Sequence, residues 1–293
     1  MEDGQFQLGD WRVDIFECGR LALDGGAMFG SVPRVVWQRR IAPDSAHRIP
    51  LAMRLLLLRR DDATVLVDTG IGDKFDQTFR DMFAVENPVT TVAPTPLLQA
   101  LADFGVTAEQ ITHVVLTHLH FDHGGGTTRR GVDGVPSLTF PNAEHFLQSA
   151  NWETANDPNP RERASYLRDN FAPLAGGRLT LLDGASELLP GLQVLPSHGH
   201  TAGMQTLRLE GGGQVLHYLA DLAPTRHHLH LPFTMGYDLS ALEIMREKEA
   251  LLPQAVAEDA IIVFEHDPQL AAGRIGMDGG KFAIVEELVC GSS

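Results

Sequence analysis

Cysteine is almost missing from this chain: Cys18 and Cys290 are the only two in 293 residues, and they lie near opposite ends. They match no disulfide framework and no cysteine-rich zinc pattern, which excludes a stapled secreted fold and a zinc finger. Long apolar runs are lacking too. The most apolar stretch, Leu51 to Leu58, is broken by Arg54 and stops at Arg59-Arg60, far short of the roughly 20 residues that a membrane helix needs. The start, Met1 to Asp10, carries Glu2, Asp3 and Asp10 and no hydrophobic core, the reverse of a signal peptide. A soluble, cytoplasmic protein with no membrane partner is expected. Positive charge is scarce as well: 23 Lys+Arg against 38 Asp+Glu leave a formal charge of −15, and the pairs Arg39-Arg40, Arg59-Arg60 and Arg129-Arg130 are scattered. Such a chain repels a phosphate backbone, so nucleic acid is not an expected partner.

The composition that remains, 43% hydrophobic and 21% charged, is that of an ordinary globular protein. No repeat, low-complexity tract or linker divides the chain, and a single domain over residues 1–293 is expected. Trp11 to Glu17 alternates as a strand does, and Leu51 to Leu58, Asp61-Asp62 and Thr64 to Val67 read as strand, turn, strand. Residues 19–49 read as a long loop. Thr95-Pro96 followed by Leu97, Leu98, Leu101 and Phe104, with Gly105 as the stop, predicts a helix. Ile111 to Leu116 predicts a buried strand, and Arg161 to Leu174 a second helix. Further strands are expected at Leu179 to Leu182, Leu192 to Pro196, Gln205 to Leu209 and Val215 to Leu219. Gly211-Gly212-Gly213 turns a hairpin between the last two. A helix over Leu239 to Leu252 precedes strands at Ile261 to Phe264, Gln269 to Ile275 and Lys281 to Leu288. Strand runs with helices between them, in two halves, predict an α/β (α+β) protein with two sheets face to face and helices outside.

The thirteen histidines are the excess that needs an explanation. His118-Leu119-His120-Phe121-Asp122-His123 places three imidazoles and a carboxylate within six residues directly after a predicted strand. Neutral imidazole and carboxylate are the ligands of Zn²⁺ and other borderline divalent metals. The blander reading is a histidine-rich surface loop. Gly124-Gly125-Gly126 lets the backbone pack closely beside such a site.

The order of further blocks decides between the two readings. Asp68-Thr69-Gly70 after a strand, the six-residue block, Gly199-His200-Thr201, Asp221 after a strand and His266 after a strand together resemble the metallo-β-lactamase superfamily of metal-dependent hydrolases. The resemblance implies a four-layer αββα sandwich of two mixed sheets. It also implies that His118, His120 and His200 hold one metal, that Asp122, His123 and His266 hold a second, and that Asp221 bridges them. Asp68 would stand behind a ligand histidine and orient it. Two divalent ions per chain are implied, zinc first, with manganese, iron, cobalt or nickel compatible with the same ligands. The ions would share and activate a water, with Asp122 and Asp221 as the catalytic carboxylates and Asp122 passing a proton to the leaving group.

Only 27 residues follow His266, and they read as strand. That leaves no room for the helical domain of glyoxalase II-like thioesterases or for a flavodoxin domain, and the acidic charge disfavours the nuclease branch. What remains resembles the quorum-quenching lactonases that open N-acyl homoserine lactones, with organophosphate triesterases and arylesterases as the alternative. A non-catalytic metal-bound sensor of the same fold is the reading from another class. The phrases Asp24-Gly25-Gly26-Ala27-Met28-Phe29-Gly30, Ala220 to Thr225 and Phe264-Glu265-His266-Asp267 carry the lactonase likeness. One departure stands out: homoserine lactonases have a tyrosine three residues after the bridging aspartate, where this chain has Pro224, and Tyr237 is the candidate substitute.

Residues 19–49 and 222–238 are the expected substrate-side loops. Their apolar residues, Phe29, Trp37, Phe233, Met235 and Tyr237 above all, are candidates to line a pocket for the apolar part of a small lactone or ester. A homodimer contact is the competing reading. His198 is expected to pack or support a ligand, and His113 and His217 to be structural strand residues. His227, His228 and His230 are expected to form a partly solvated loop at the site mouth; His47 and His145 have no partner pattern.

Overall fold

The computed structural model of the protein describes residues 4–87 and 94–290; Glu2 and Asp3 of the acidic start lie outside them. The first half builds β1 (Gln5–Leu8), β2 (Trp11–Asp24), β3 (Arg48–Arg60), β4 (Ala63–Val67) and β5 (His113–Val115). A separate two-stranded ribbon follows, β6 (Thr128–Arg130) with β7 (Pro136–Leu138), then β8 (Glu144–Gln148) and β9 (Leu179–Leu182). Apart from the ribbon these form one seven-stranded sheet in the order β1-β2-β3-β4-β5-β8-β9. The second half builds β10 (Ser186–Leu189), β11 (Leu192–Ser197), β12 (Met204–Gly211), β13 (Gln214–Tyr218), β14 (Ile261–Val263), β15 (Leu270–Asp278) and β16 (Lys281–Cys290). They form a second seven-stranded sheet in sequence order. Both sheets are mixed: β4, β5, β8 and β9 run parallel, as do β13 and β14, while their other pairings are antiparallel.

The continuous apolar runs follow from burial on both faces of each sheet. In β3, Leu56 and Leu58 point between the sheets, where they meet Val65, Val67, Leu207, Leu216 and Val263. Leu55 and Leu57 point the other way, into a layer with Leu97 and Leu101. Those two leucines belong to α4 (Pro96–Asp103), the fourth helix after α1 (Gly25–Phe29), α2 (Arg34–Trp37) and α3 (Gln77–Phe83). Thr95 caps α4, its Oγ1 accepting from the Leu98 amide at 3.2 Å. Two more short helices follow, α5 (Phe121–Gly124) and α6 (Ser149–Asn156), and then α7 (Ala241–Ala257). On the outer face of the second sheet, Ile262 and Phe264 pack with Leu252 and Ala255 of α7. The result is the expected αββα sandwich. Among the described residues no helix is long and apolar enough to cross a membrane.

Two sequence expectations need correction. Residues 161–174 hold no α-helix: turns lead into short 3-10 segments at Arg168–Asn170 and Ala172–Gly176, the second with Pro173 in its first turn, where a proline cannot continue a helical ladder from upstream. Residues 19–49 are not one long loop, since β2 runs on to Asp24 and two short helices follow. The β2 register shifts between Glu17 and Arg20, so the alternation that marks a strand is lost there while pairing with β3 continues.

Candidate metal centre

Parallel strands end on the same side of a sheet, so the residues just past β4 and β5 come together, as do those just past β13 and β14. Asp68 follows β4, His118 to His123 follow β5, His200 follows β11, Asp221 follows β13 and His266 follows β14. All of them are buried. Close backbone contact sharpens the first corner. A Cβ on Gly125 would lie 2.2 Å from the Ile71 carbonyl oxygen and one on Gly126 2.3 Å from that of Thr69, so the two loops touch only because these residues are glycine. Asp68 itself adopts φ 58°, the left-handed region. There its carboxylate receives both the amide and the hydroxyl of Thr117 at 2.7 Å.

Two groups of ligand atoms result. His118 Nε2 and His200 Nε2 stand 3.1 and 3.2 Å from His120 Nδ1. His266 Nε2 stands 3.2 Å from His123 Nε2, with Asp122 oxygens 3.8 and 3.9 Å from those two nitrogens. Asp221 spans the groups: Oδ2 lies 3.1 Å from His200 Nε2 and 3.5 Å from His123 Nε2, and Oδ1 3.3 Å from His266 Nε2. Each group has the spacing to hold a metal ion.

The far sides of the rings decide whether an ion fits. His200 Nδ1 donates to Asp238 Oδ1 at 2.9 Å, and His266 Nδ1 to the Ala52 carbonyl at 2.8 Å. His123 Nδ1 faces Asp68 Oδ2 at 3.2 Å and Glu265 Oε2 at 3.1 Å. A ring that donates from its outer nitrogen presents a lone pair at the inner one. With the inner nitrogens deprotonated, their lone pairs converge at about 3 Å, an arrangement that a cation between them fits. Asp221 Oδ1 is buried without a hydrogen bond, in keeping with an unfilled bond to an ion. The donor set fits two borderline divalent ions.

Electrostatics divide the site. Burial, then the neighbouring histidines, push His118 well below the ordinary imidazole value, and His120 likewise. Burial opposes charge on His266 too, but Asp221 and then Glu265 outweigh it and raise this ring to about 9. In the same way Glu265, Asp221 and Asp122 overcome burial to hold His123 well above its usual range. Burial disfavours the Asp221 carboxylate, yet His123, His200 and His266 keep it well below the usual carboxylate range.

Beside the ligands lies a cavity of about 280 Å³, walled by Leu23, Met28, Leu51, Phe83, Phe121 and Met235, with Asp122, Asp221, His120, His200 and His266 at one end and Arg161, Ser165 and Tyr237 also on its wall. Of the five substrate-side candidates, Met235 and Tyr237 line it. Phe29, Trp37 and Phe233 do not: Phe29 stacks on Trp37 and on His228 with ring centres 6.0 and 4.9 Å away, and Phe233 meets it edge-on at 6.1 Å. They are large apolar groups whose best burial lies behind the wall, in the helix layer.

In the histidine tract 227–230, His227 and His230 are half-buried as expected and His228 departs from the expectation. His228 is fully buried, held by Thr225 Oγ1 at 2.8 Å and the Met28 carbonyl at 2.8 Å, and burial lowers it to about 3. It ties the two substrate-side segments together as a neutral ring. His198 is exposed and accepts the Gly203 amide at its Nδ1, remote from a ligand role. His113 and His217 sit in β5 and β13.

Sequence reasoning missed Asp238, Glu162, Glu265 and Arg161. Glu265 lies in the Phe264-Glu265-His266-Asp267 motif and Asp238 at the end of the 222–238 loop, but neither spacing reveals which histidine it faces. Glu162, buried and 3.9 Å from His120 Nε2, left no sequence signal at all.

Comparison with known proteins adds kinship to geometry. The family model described as the metallo-beta-lactamase superfamily matches residues 55–266. An N-acyl homoserine lactonase of Bacillus cereus is 27% identical over 226 residues, 74% of this chain and 82% of its own. A probable metal-dependent hydrolase from Staphylococcus aureus has a solved structure with TM-score 0.85 at 27% identity, covering 97% of this chain and 100% of that one. A dizinc quorum-quenching lactonase solved with its product, AidC, has TM-score 0.77 at 22% identity, covering 97% of each chain.

Proposed function

The chain belongs to the metallo-beta-lactamase superfamily, as a metallo-hydrolase, and on that premise we propose that it opens the ring of lactones with an apolar acyl group, N-acyl homoserine lactones foremost. The observation that carries this reading is the continuity between the converging ligand atoms and the apolar cavity beside them. Relatives named as lactonases support it.

In this reading His118, His120 and His200 would hold one ion and Asp122, His123 and His266 the other, with Asp221 available to both. The two divalent ions, zinc in our reading, would supply Lewis-acid activation of water and of the ester carbonyl. The chain does the rest. Leu23, Met28, Leu51 and Met235 hold the acyl chain and exclude water from it. Asp122, on the cavity wall, passes to the leaving alkoxide oxygen the proton released when water adds to the ester carbonyl. Tyr237, also on that wall, offers its hydroxyl to the substrate carbonyl, the task for which Pro224 has no donor. Burial pushes this hydroxyl up to about 12, so it stays a donor at neutral pH.

The test is turnover of N-acyl homoserine lactones, phenyl acetate and paraoxon by the purified protein, with elemental analysis of the same sample. Lactone hydrolysis that is lost together with bound metal in Asp122→Ala and His266→Ala is expected. Fast triester cleavage without lactone turnover overturns the lactonase reading, and turnover unchanged in both variants overturns the metal assignment.

A further inference from the structure

The cavity contains one cation that the chemistry above does not use. Arg161 lines its wall, on the loop after α6, opposite the Gly236-Tyr237 segment. Its Nη2 donates to the carbonyls of Gly236 and Asp238, the latter at 3.3 Å. Arg161 is an exposed residue, and among the described residues its Nε and Nη1 have no protein hydrogen-bond partner and no carboxylate lies within ion-pair distance, so these donors face solvent at the cavity mouth. The nearby acids are otherwise engaged. Glu162 accepts from Asn159 and, at 2.5 Å, from Thr201 Oγ1, while Asp238 spends its two oxygens on His200 and the Met235 amide.

A cross-cavity strap needs only an amide to satisfy two carbonyls. A guanidinium there adds a full positive charge and three unused N–H donors. The setting makes that charge informative. The chain carries −15 overall, and Asp122, Asp221, Glu162, Glu265 and Asp238 stand around the ligand cluster, where two divalent ions would offset most of the negative charge. Among the described residues Arg161 is the only lysine or arginine on the cavity wall.

Resting on the hydrolase reading above, we propose that Arg161 is a specificity residue, and that the preferred ester or lactone carries an oxyanion, a carboxylate or a phosphate, on the portion lying toward Gly236 and Tyr237. The oxyanion takes an Nη1–H donor and faces the full positive charge, while Nη2 keeps the strap closed.

The test compares matched pairs on the metal-loaded protein: N-hexanoyl with N-adipoyl homoserine lactone, and phenyl butyrate with its para-phosphorylated analogue. The expected result is a higher kcat/KM for the charged member of at least one pair; which pair identifies the oxyanion. In Arg161→Gln, which can keep a strap donor, the charged-to-neutral ratio should fall about tenfold, and Arg161→Lys should restore much of it. A ratio unchanged by Arg161→Gln, or a preference for the neutral member in both pairs, overturns the proposal. Should no ester be cleaved, the hydrolase reading fails by itself, and calorimetric binding of N-adipoyl against N-hexanoyl homoserine to both proteins still decides the role of Arg161: tighter adipoyl binding lost in the variant supports it, and equal binding refutes it.

Discussion

Single carboxylates behind the ligands set the behaviour of the centre. Asp238 shows how: Oδ1 accepts from His200 Nδ1 at 2.9 Å and Oδ2 from the Met235 amide at 2.7 Å, so one buried side chain orients a ligand and anchors the cavity wall. An asparagine is the same size but turns an NH₂ group toward one of those two donors. Asp238→Asn should therefore weaken metal binding about ten- to a hundredfold, the usual effect of losing a ligand's supporting partner. Competition with a chelator reads this directly, and an affinity equal to wild type would show that His200 orients itself. Proton competition belongs to the same scale. His266 rests at about 9 without an ion, so below that pH an incoming cation has to displace a proton. Metal affinity should climb from neutral pH toward about 9 and then level off. Calorimetry in buffers of different ionisation enthalpy should report proton release at neutral pH. The sign for folding is opposite. A histidine raised above its unfolded value of about 6.5 stabilises the metal-free fold below that pH, and the gain disappears as pH rises through about 9.

At the scale of elements, the loop contact between Thr69–Ile71 and Gly124–Gly126 places the six-residue motif. Gly126→Ala pushes a methyl to within 2.3 Å of the Thr69 oxygen and 2.8 Å of Leu97 Cδ2. Overpacking of this kind costs about 1–3 kcal/mol, and urea denaturation should show it along with weaker metal binding. Gly176→Ala, with open space around its Cβ, serves as the control and should be near neutral. The same contrast explains what could be read from sequence. His118 to His123 were legible because four of the seven candidate ligands fall within six residues after one strand, and β3 because its apolar run is long. α6 was not: Ser149–Asn156 has no apolar stripe, and its work is polar, with Asn151 Oδ1 accepting the Leu119 amide at 2.9 Å and Nδ2 donating to the Ala202 carbonyl at 3.0 Å. Phe29 and Trp37 misled for the converse reason. Hydrophobicity says that a side chain is buried, not which side of a wall it is buried on.

The whole molecule has its candidate centre where the two sheets meet. His118, His120, Asp122 and His123 come from the first half of the chain, and His200, Asp221 and His266 from the second. Hydrogen bonds cross there too: the Ala52 and Arg54 amides donate to the His266 and Glu265 carbonyls at 3.3 and 3.2 Å, the Tyr218 hydroxyl to the Arg54 carbonyl at 2.8 Å, and buried Arg54 reaches the Phe264 carbonyl at 3.2 Å. Ions held by both halves would work as rivets across this seam, because parting the sheets would mean breaking ligand bonds rather than sliding leucines apart. Stripping them should speed amide hydrogen exchange first in residues 50–54 and 264–267, while the centre of β13, far from the rivets, keeps its slow rate. Equal exchange at residues 50–54 and 264–267 with and without metal would mean that the seam is held by packing alone. The architecture thus gives the ions a second consequence: metal supply would govern not only turnover but how long the folded chain survives proteases, which attack the opened form.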